Sequence, residues 1–524
     1  MSTATADIDV LDAPEAAAKA VRGSMLRSGG YVLGVGLSLI SAPLLVRHLG
    51  IGDFGAYVTI TAIVTIVAGV SDVGITSVGV REWAVRPVEQ RRELMANLLG
   101  ARLSLTLAGC VGAVAFGVAA GYGARRLEGI GVACVGLLML ASYEALGVPL
   151  QAELRQGWIA LAEVLRQIVQ VTCILILIAV GAGLVPLLAT AIPAGLTALA
   201  LTARVRRDAL VRPAIHPRAW WRLLRDTLPF AMASALGVVY LRTTVVITSL
   251  VADERQTGYF AAAFRVMEVL IGVPVLLIGA LFPVLARAAA TDRERLLTAT
   301  VDTLQVTIAS GALVAVSVAA GAPLAIEVLV GAHAEPAVDA LRILGVGLGF
   351  SFIGATCQFA LLAQREHRAI LGINALALLV NLVLTLALAP HHGAHGAALA
   401  LAISEATVAT SSTVLLARSL GGLPIAPGLL LRIALAAGVG VAAALALSEL
   451  GSVPEGVGAP LVCLAAALAL GALPRELLEL LPGRKPRAEA QASREQDHDH
   501  EREHEHESQH EPRGSEHEPG HDTL

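Results

Sequence analysis

Charge is scarce in this chain of 524 residues: Asp, Glu, Lys and Arg together make up 15% of it, against 56% hydrophobic residues. With a mean hydropathy of +0.71, that balance excludes an ordinary soluble globular protein, which needs far less apolar surface. Aromatic residues are also few, at 4%. Small residues stand in their place, and Gly and Ala let membrane helices approach closely and slide. A GC-rich genome yields the same small-residue bias, so composition leaves both readings open. Cysteine is sparse. Cys110, Cys134, Cys173, Cys357 and Cys463 each lie singly inside an apolar segment and none forms a CxxC pair. This excludes a disulfide framework and a cysteine-based metal site, and the five are expected to be small core residues. There is no GxxxxGK[ST] loop and no nucleotide or soluble catalytic domain, so direct ATP hydrolysis is not expected. Residues 1–20 are polar and acidic, and the first apolar stretch runs into a second without a cleavage site. It is therefore expected to be a membrane helix and not a secretory signal.

What is abundant is long apolar sequence. Fourteen segments are expected to cross a bilayer: residues 28–46, 55–79, 97–120, 129–150, 159–181, 184–203, 228–250, 259–283, 302–322, 341–363, 369–389, 394–417, 429–448 and 457–475. A hydrocarbon core of ~30 Å takes roughly 20 residues per helix. Arginines concentrate in every second gap. Arg81, Arg86, Arg91 and Arg92 fill the second, Arg204 to Arg225 the sixth, Arg287, Arg293 and Arg295 the eighth, and Arg365 and Arg368 the tenth. The alternate gaps hold only Arg47, then Arg125 and Arg126, then Arg255. Basic loops stay cytoplasmic, so both termini are expected to face the cytoplasm of a multi-pass plasma-membrane protein.

The sixth gap is the longest internal one. Its His216–Arg225 stretch pairs Trp220 and Trp221 with spaced arginines, the pattern of a short helix at headgroup level. It divides the chain into an expected N-terminal tail (1–21), a first lobe of six spans (22–208), a linker (209–227), a second lobe of six spans (228–420), two further spans (421–481) and a cytoplasmic tail (482–524). The lobes resemble each other weakly. The turn Leu49–Tyr57 and the turn Val251–Phe260 each carry an acid, a glycine and an aromatic residue, about 203 positions apart. Gly181-Ala182-Gly183 and Gly393-Ala394-His395-Gly396 open spans six and twelve. A same-sense duplication of six spans places a substrate path between the halves.

Three stretches carry a resemblance to a known family. Pro43-Leu44-Leu45-Val46-Arg47-His48-Leu49-Gly50 continues through Phe54-Gly55-Ala56-Tyr57 to Asp72-Val73-Gly74-Ile75. Thr257-Gly258-Tyr259-Phe260-Ala261-Ala262-Ala263-Phe264-Arg265 is followed by Leu281-Phe282-Pro283-Val284-Leu285-Ala286-Arg287. Gly393 to Ala400 ends at Ile403-Ser404-Glu405. The ordered set, over roughly 22–475, resembles the polysaccharide flippases of the multidrug/oligosaccharidyl-lipid/polysaccharide exporter superfamily. The resemblance implies an all-α bundle of two six-helix lobes around a central cavity, plus two extra C-terminal helices, working by alternating access. It also implies an undecaprenyl-diphosphate-linked oligosaccharide as cargo, moved to the outer leaflet for cell-surface polysaccharide synthesis. An acid that often follows the span-seven arginine in that family is absent, since Arg242 precedes Thr243-Thr244.

Ionisable groups inside hydrocarbon are costly, so they face a cavity or a partner. Arg242 in span seven and Arg265 with Glu268 in span eight are candidates for a cavity site holding a diphosphate or sugar, because guanidinium binds two phosphate oxygens at once. The alternative is a structural Arg265–Glu268 pair with Arg242 snorkelling. Glu405, with Gln358, Asn374 and Asn381 nearby, and Glu144 in span four are further cavity candidates. A mid-membrane carboxylate either binds a proton or sodium, or stays protonated and donates to a carbonyl. Asp72, Arg81 and Glu82 are gate or interface candidates at the inner end, with capping and anchoring as the plainer roles. Pro149, Pro186, Pro193, Pro274 and Pro283 are expected to bend their helices.

The tail holds twelve acids and three arginines between residues 488 and 524, and seven of the fourteen histidines. It is expected to be solvated and disordered, without fixed metal-ligand spacing. No enzyme, cofactor, metal site or nucleic acid is expected. Coupling to a proton, to sodium or to the membrane potential stays open. The expected partners are the bilayer, the lipid-linked oligosaccharide and polysaccharide assembly proteins, around a monomer. Lipid II flippase and cation-coupled drug exporter are the alternatives within the superfamily. A membrane polymerase or ligase is the alternative outside it, disfavoured by the short outward loops.

Overall fold

The computed structural model describes residues 14–72, 74–225, 228–291, 293–331 and 334–472. The acidic, histidine-rich tail and residues 1–13 lie outside the described residues. Among the described residues there are helices and no strand. Lipid offers no partner to a peptide group, so a crossing segment must satisfy its own N–H and C=O groups, and Leu- and Ala-rich sequence does this readily as helix. In chain order the first helices are α1 (Pro14–Asp72), α2 (Ile75–Val85), α3 (Val88–Ala119), α4 (Ala124–Ala152), α5 (Gln156–Ala179), α6 (Leu184–Ala189), α7 (Ala191–Val205) and α8 (Pro217–Leu224). Then follow α9 (Leu228–Val251), α10 (Glu254–Leu270), α11 (Gly272–Thr291), α12 (Arg293–Leu329), α13 (Glu335–Ala363), α14 (His367–Leu420), α15 (Pro427–Leu447) and α16 (Ser452–Ala469).

Twelve helical runs among the described residues are long and apolar enough to cross a membrane, and the protein is a multi-pass membrane protein. One of those runs, His367–Leu420, holds two crossings, and α1, whose run is counted from Ile40, extends back to Pro14 ahead of a reversal of its own. α1 reverses at Gly50 (φ 74°) and α14 at Gly393 (φ 52°). Both are left-handed conformations that L side chains rarely adopt. The reversal of α1 is visible in its partners. Gly34 lies beside Gln167 and His48 hydrogen-bonds the Ala182 carbonyl at 2.7 Å, so residues 34–48 run parallel to α5. Beyond Gly50, Asp53 meets Arg125 and Asp72 meets Arg102, so the chain travels back. In α14, a Cβ on Gly396 would touch the Leu388 carbonyl, a contact no straight helix allows eight residues apart.

Prolines break two of the expected spans. Span six divides into α6 and α7, and span eight into α10 and α11. Pro193 and Pro274 have no N–H to give the carbonyls of Ala189 and Leu270, one turn earlier. Pro149 sits inside α4 without ending it before Ala152.

The turns at Gly50, Gly121, Gly181, Ala252, Gly331, Gly393 and Gly451 gather at one, arginine-poor end. The arginine-rich segments gather at the other. α1 packs on α3, α4 and α5, with α7 against α4 and α5. α13 packs on α12 and α14, and α14 on α9. The two sets meet where α1 packs against α9 and α10. α15 and α16 pair with each other and lean on α12. Hydroxyls within the helices return to the preceding turn, as Thr65 does to Thr61 and Thr248 to Thr244, which removes the need for a partner in lipid.

The arginine-rich end of the first set is tied down by Trp83. Its buried ring receives the guanidinium groups of Arg91 and Arg206, 5.4 and 5.6 Å from the ring centre. Arg206 also reaches Glu153 at 2.5 Å and Asp208 at 2.6 Å. The segment after α7 is held to α3 by a backbone bond from Ala214 to Ala96 of 2.9 Å. Gly100 lies so close to the Ala214 carbonyl that a Cβ would stand 2.0 Å from it. α8 follows, with no buried residue and with Trp221 exposed.

Candidate functional site

A cavity of about 1020 Å³ lies among α1, α3, α4 and α5, with α9 and α10 closing its far wall. The second half of α1 supplies Tyr57, Thr65 and Asp72. α4 supplies Tyr143 and Glu144, and α5 supplies Glu163, Arg166, Gln167 and Gln170. Arg102 comes from α3, and Arg265 and Glu268 from α10. The lining continues to Thr76, the exposed Ser77 and Gln151 at the arginine-rich end. The cavity therefore opens toward that end.

Its charged groups form three clusters. At the deepest level, Glu268 accepts from both Arg242 and Arg265, the latter at 2.7 Å. The Arg242 guanidinium also lies 5.7 Å from the centre of the Phe264 ring. Two guanidinium groups on one carboxylate leave one formal positive charge. Nearer the mouth, Arg102 bridges Asp72 at 3.3 Å and Glu144 at 2.6 Å, and this cluster carries one formal negative charge. Thr76 adds a hydroxyl to Asp72 at 2.7 Å. Between them, Arg166 is paired with Glu163 at 2.5 Å and with Gln170 at 3.2 Å. Arg265 lies eleven residues from the start of α10, about 16 Å along the helix, while Glu144 lies twenty residues from the start of α4, about 30 Å along. The positive and negative clusters are thus separated in depth.

The arginine-poor end is shut. α1 and α10 touch there through Gly55 and Gly258, backbone against backbone. Arg126 donates to Glu254 at 2.7 Å and Tyr122 hydrogen-bonds Ser249 at 2.8 Å, both joining the first set of helices to the second. Arg125 holds Asp53 at 2.8 Å, and Arg47 reaches the Val328 carbonyl at 2.8 Å.

The sequence candidates divide accordingly. Arg265, Glu268, Glu144 and Asp72 line the cavity. Arg242 reaches it through Glu268. Asp72 stands as a cavity residue, in addition to its bond with Thr76. Glu405, Gln358, Asn374 and Asn381 do not line this cavity, contrary to the sequence expectation. They form a polar seam that joins α9, α13 and α14. Tyr240 donates to the buried Glu405 at 2.7 Å, Asn381 to Thr244 at 2.8 Å, Asn374 to the Ala233 carbonyl at 3.0 Å, and Gln358 to Asn374 at 3.5 Å. Arg81 and Glu82 pair at 3.1 Å at the arginine-rich end, with Arg86 on the other Glu82 oxygen. Arg102, Glu163 and Arg166 were not among the sequence candidates. Arg102 lies six residues into the expected span 97–120, and its partners Asp72 and Glu144 are far off in sequence. Glu163 and Arg166 repeat, three residues apart in span five, the spacing of Arg265 and Glu268, and that spacing was the available signal.

Among solved structures, the chain is similar to the lipid II flippase MurJ in an inward closed conformation. The TM-score is 0.70 at 13% identity, covering 87% of this chain and 100% of that one. It is also similar to a multidrug resistance MATE family transporter of the MOP superfamily. In the inward-facing conformation the TM-score is 0.60 at 18% identity, covering 75% of this chain and 94% of the other. In the outward-facing conformation the values are 0.55, 18%, 78% and 96%. At such identities the likeness is one of fold. No curated protein matches the chain in sequence. The profile of the polysaccharide biosynthesis protein family matches residues 20–289, and the chain belongs to that family.

Proposed function

We propose that the protein carries an undecaprenyl-diphosphate-linked oligosaccharide across the plasma membrane, from the cytoplasmic to the outer leaflet, by alternating access. The observation that carries this reading is the Arg242–Glu268–Arg265 cluster at the deep end of a large cavity, far from its mouth. Its surplus positive charge and forked donors suit a diphosphate, and hydroxyl and amide side chains around it suit sugar hydroxyls. The family match supports polysaccharide chemistry. The arginine-rich end, toward which the cavity opens, is then the cytoplasmic end. The lipid-linked head enters there, and closure of that end with release of the Gly55–Gly258 contact delivers it outside. Transport needs no bond made or broken, and the solved structures of like fold are a flippase and transporters.

The test is reconstitution of the purified chain in liposomes with three probes: a fluorescent undecaprenyl-diphosphate tetrasaccharide, lipid II, and a small cationic drug. Leaflet exchange of the first, well above that of the other two, is the expected result. Movement of lipid II alone would assign the chain to peptidoglycan precursor transport. Accumulation of the drug alone would make it an exporter of cations.

A further inference from the structure

The charged pairs of the cavity have a sidedness that their number does not reveal. Near the mouth the carboxylates are more exposed to the cavity than the guanidinium groups paired with them. Asp72 and Glu144 are 35% and 39% exposed, while the Arg102 that holds both is 3% exposed. Glu163 is 35% exposed against 18% for its partner Arg166. At the deep end the order reverses, with Arg265 at 35% and Glu268 at 22%. All of these groups belong to the lining itself. A solute in the cavity thus meets negative oxygen atoms over the outer part of its path and a guanidinium at the end. Between them it meets neutral donors and acceptors such as Gln167, Gln170 and Thr65.

The physical consequence follows from Coulomb's law in a confined space. Unlike charges that face open solvent, those lining a cavity bounded by low-dielectric helices are weakly screened, and their field is focused into it. Arg102 neutralises only one of its two carboxylates, so a second anion placed beside Asp72 or Glu144 is repelled. At a spacing of ~6 Å and an effective dielectric of ~20, the repulsion amounts to roughly a 100-fold discrimination. Ionic strength and water in the mouth reduce it to about 10-fold or more.

We propose that this cavity selects its glycan by charge: it accepts a hydroxyl-rich head of uncharged sugars and rejects one whose sugars carry carboxylates, with phosphate tolerated only at the Arg265 end. The proposal rests on the lipid-linked oligosaccharide reading above and adds the class of sugar to it. Specificity here is a repulsive element against the wrong cargo, added to hydrogen bonds that any glycan offers.

The experiment compares two probes in liposomes containing the full chain. Both are undecaprenyl-diphosphate tetrasaccharides of equal length, one built of hexoses and one with a single hexose replaced by a hexuronic acid. The expected result is movement of the neutral probe at least about 10-fold faster, with the ratio shrinking as salt is raised. In Glu144→Gln and in Glu163→Gln, made separately, the ratio shrinks again whatever the absolute rate. Equal rates for the two probes, or a faster acidic probe, would overturn the charge selection and leave the flippase reading standing. Movement of neither probe would overturn the flippase reading and the selection with it.

Discussion

Gly55 and Gly258 face each other without room for a single added carbon. A Cβ on Gly55 would stand 2.8 Å from the Gly258 nitrogen, and one on Gly258 would stand 2.0 Å from the Ile51 carbonyl oxygen. These obstacles are backbone atoms, which cannot swing aside as a side chain can. Gly258 is also the residue 203 positions after Gly55, the offset that relates the two similar turns in the sequence. The closed end of the cavity is therefore made by equivalent turns of the two halves meeting each other.

Gly258→Val should hold that end open. With Arg126→Cys and Glu254→Cys in a Cys173→Ser background, a short bifunctional maleimide joins the two positions while the end is shut. Adding Gly258→Val should reduce the crosslinked fraction several-fold. An unchanged fraction would mean that the contact is not required for closure.

The Arg126–Glu254 pair is largely exposed on its acidic side, and such pairs contribute about 0–1 kcal/mol. Arg126→Glu alone should shift the protein modestly toward opening at that end, because it sets two carboxylates against each other. Arg126→Glu combined with Glu254→Arg should restore the original balance. Distances between spin labels on either side of the contact would report both, and failure of the double change to restore them would argue against a latch.

Arg102 carries the opposite kind of risk. Removing it as Arg102→Met leaves Asp72 and Glu144 facing each other with no counter-charge. A fully buried pair broken in this way costs about 3–5 kcal/mol, and water in the cavity lowers that figure here. Thermal unfolding in detergent should show a Tm several degrees below wild type. Adding Glu144→Gln to Arg102→Met should recover part of the loss, since one of the two charges is then gone. Equal Tm values for all three proteins would contradict the cluster's structural part.

The seam of α9 and α14 should respond in stability. Asn381→Leu strips Thr244 of its partner in a fully buried site, at about 1–3 kcal/mol. Glu405→Gln keeps an acceptor for Tyr240 and should be nearly neutral. Neither change should alter the preference between neutral and acidic glycans. A changed preference would draw the seam into the transport path.

Much of this was legible in the sequence, for physical reasons. Crossing helices announce themselves because lipid imposes length and apolarity together, and the short turns carried Gly50 and Gly393, where the chain reverses. Arg265 and Glu268 stood out because charge inside an apolar span needs a partner. What stayed hidden was pairing between distant helices. Arg102 was not singled out, because nothing local shows that α3 brings it between Asp72 and Glu144. Asn374, Asn381 and Glu405 looked like cavity residues because a polar group at mid-membrane depth satisfies itself equally well against a neighbouring helix. Sequence sets the depth of such a group but not the face of the bundle it meets.

The central claim is that a lipid-linked oligosaccharide passes through this cavity only if the Gly55–Gly258 end can open. The most direct measurement is the leaflet exchange of a fluorescent undecaprenyl-diphosphate tetrasaccharide of neutral sugars in liposomes. The protein would carry Arg126→Cys and Glu254→Cys, joined by a bifunctional maleimide with a cleavable disulfide spacer. Exchange should fall at least about 10-fold when the end is locked and return on reduction. Exchange that continues undiminished through fully crosslinked protein would contradict the account.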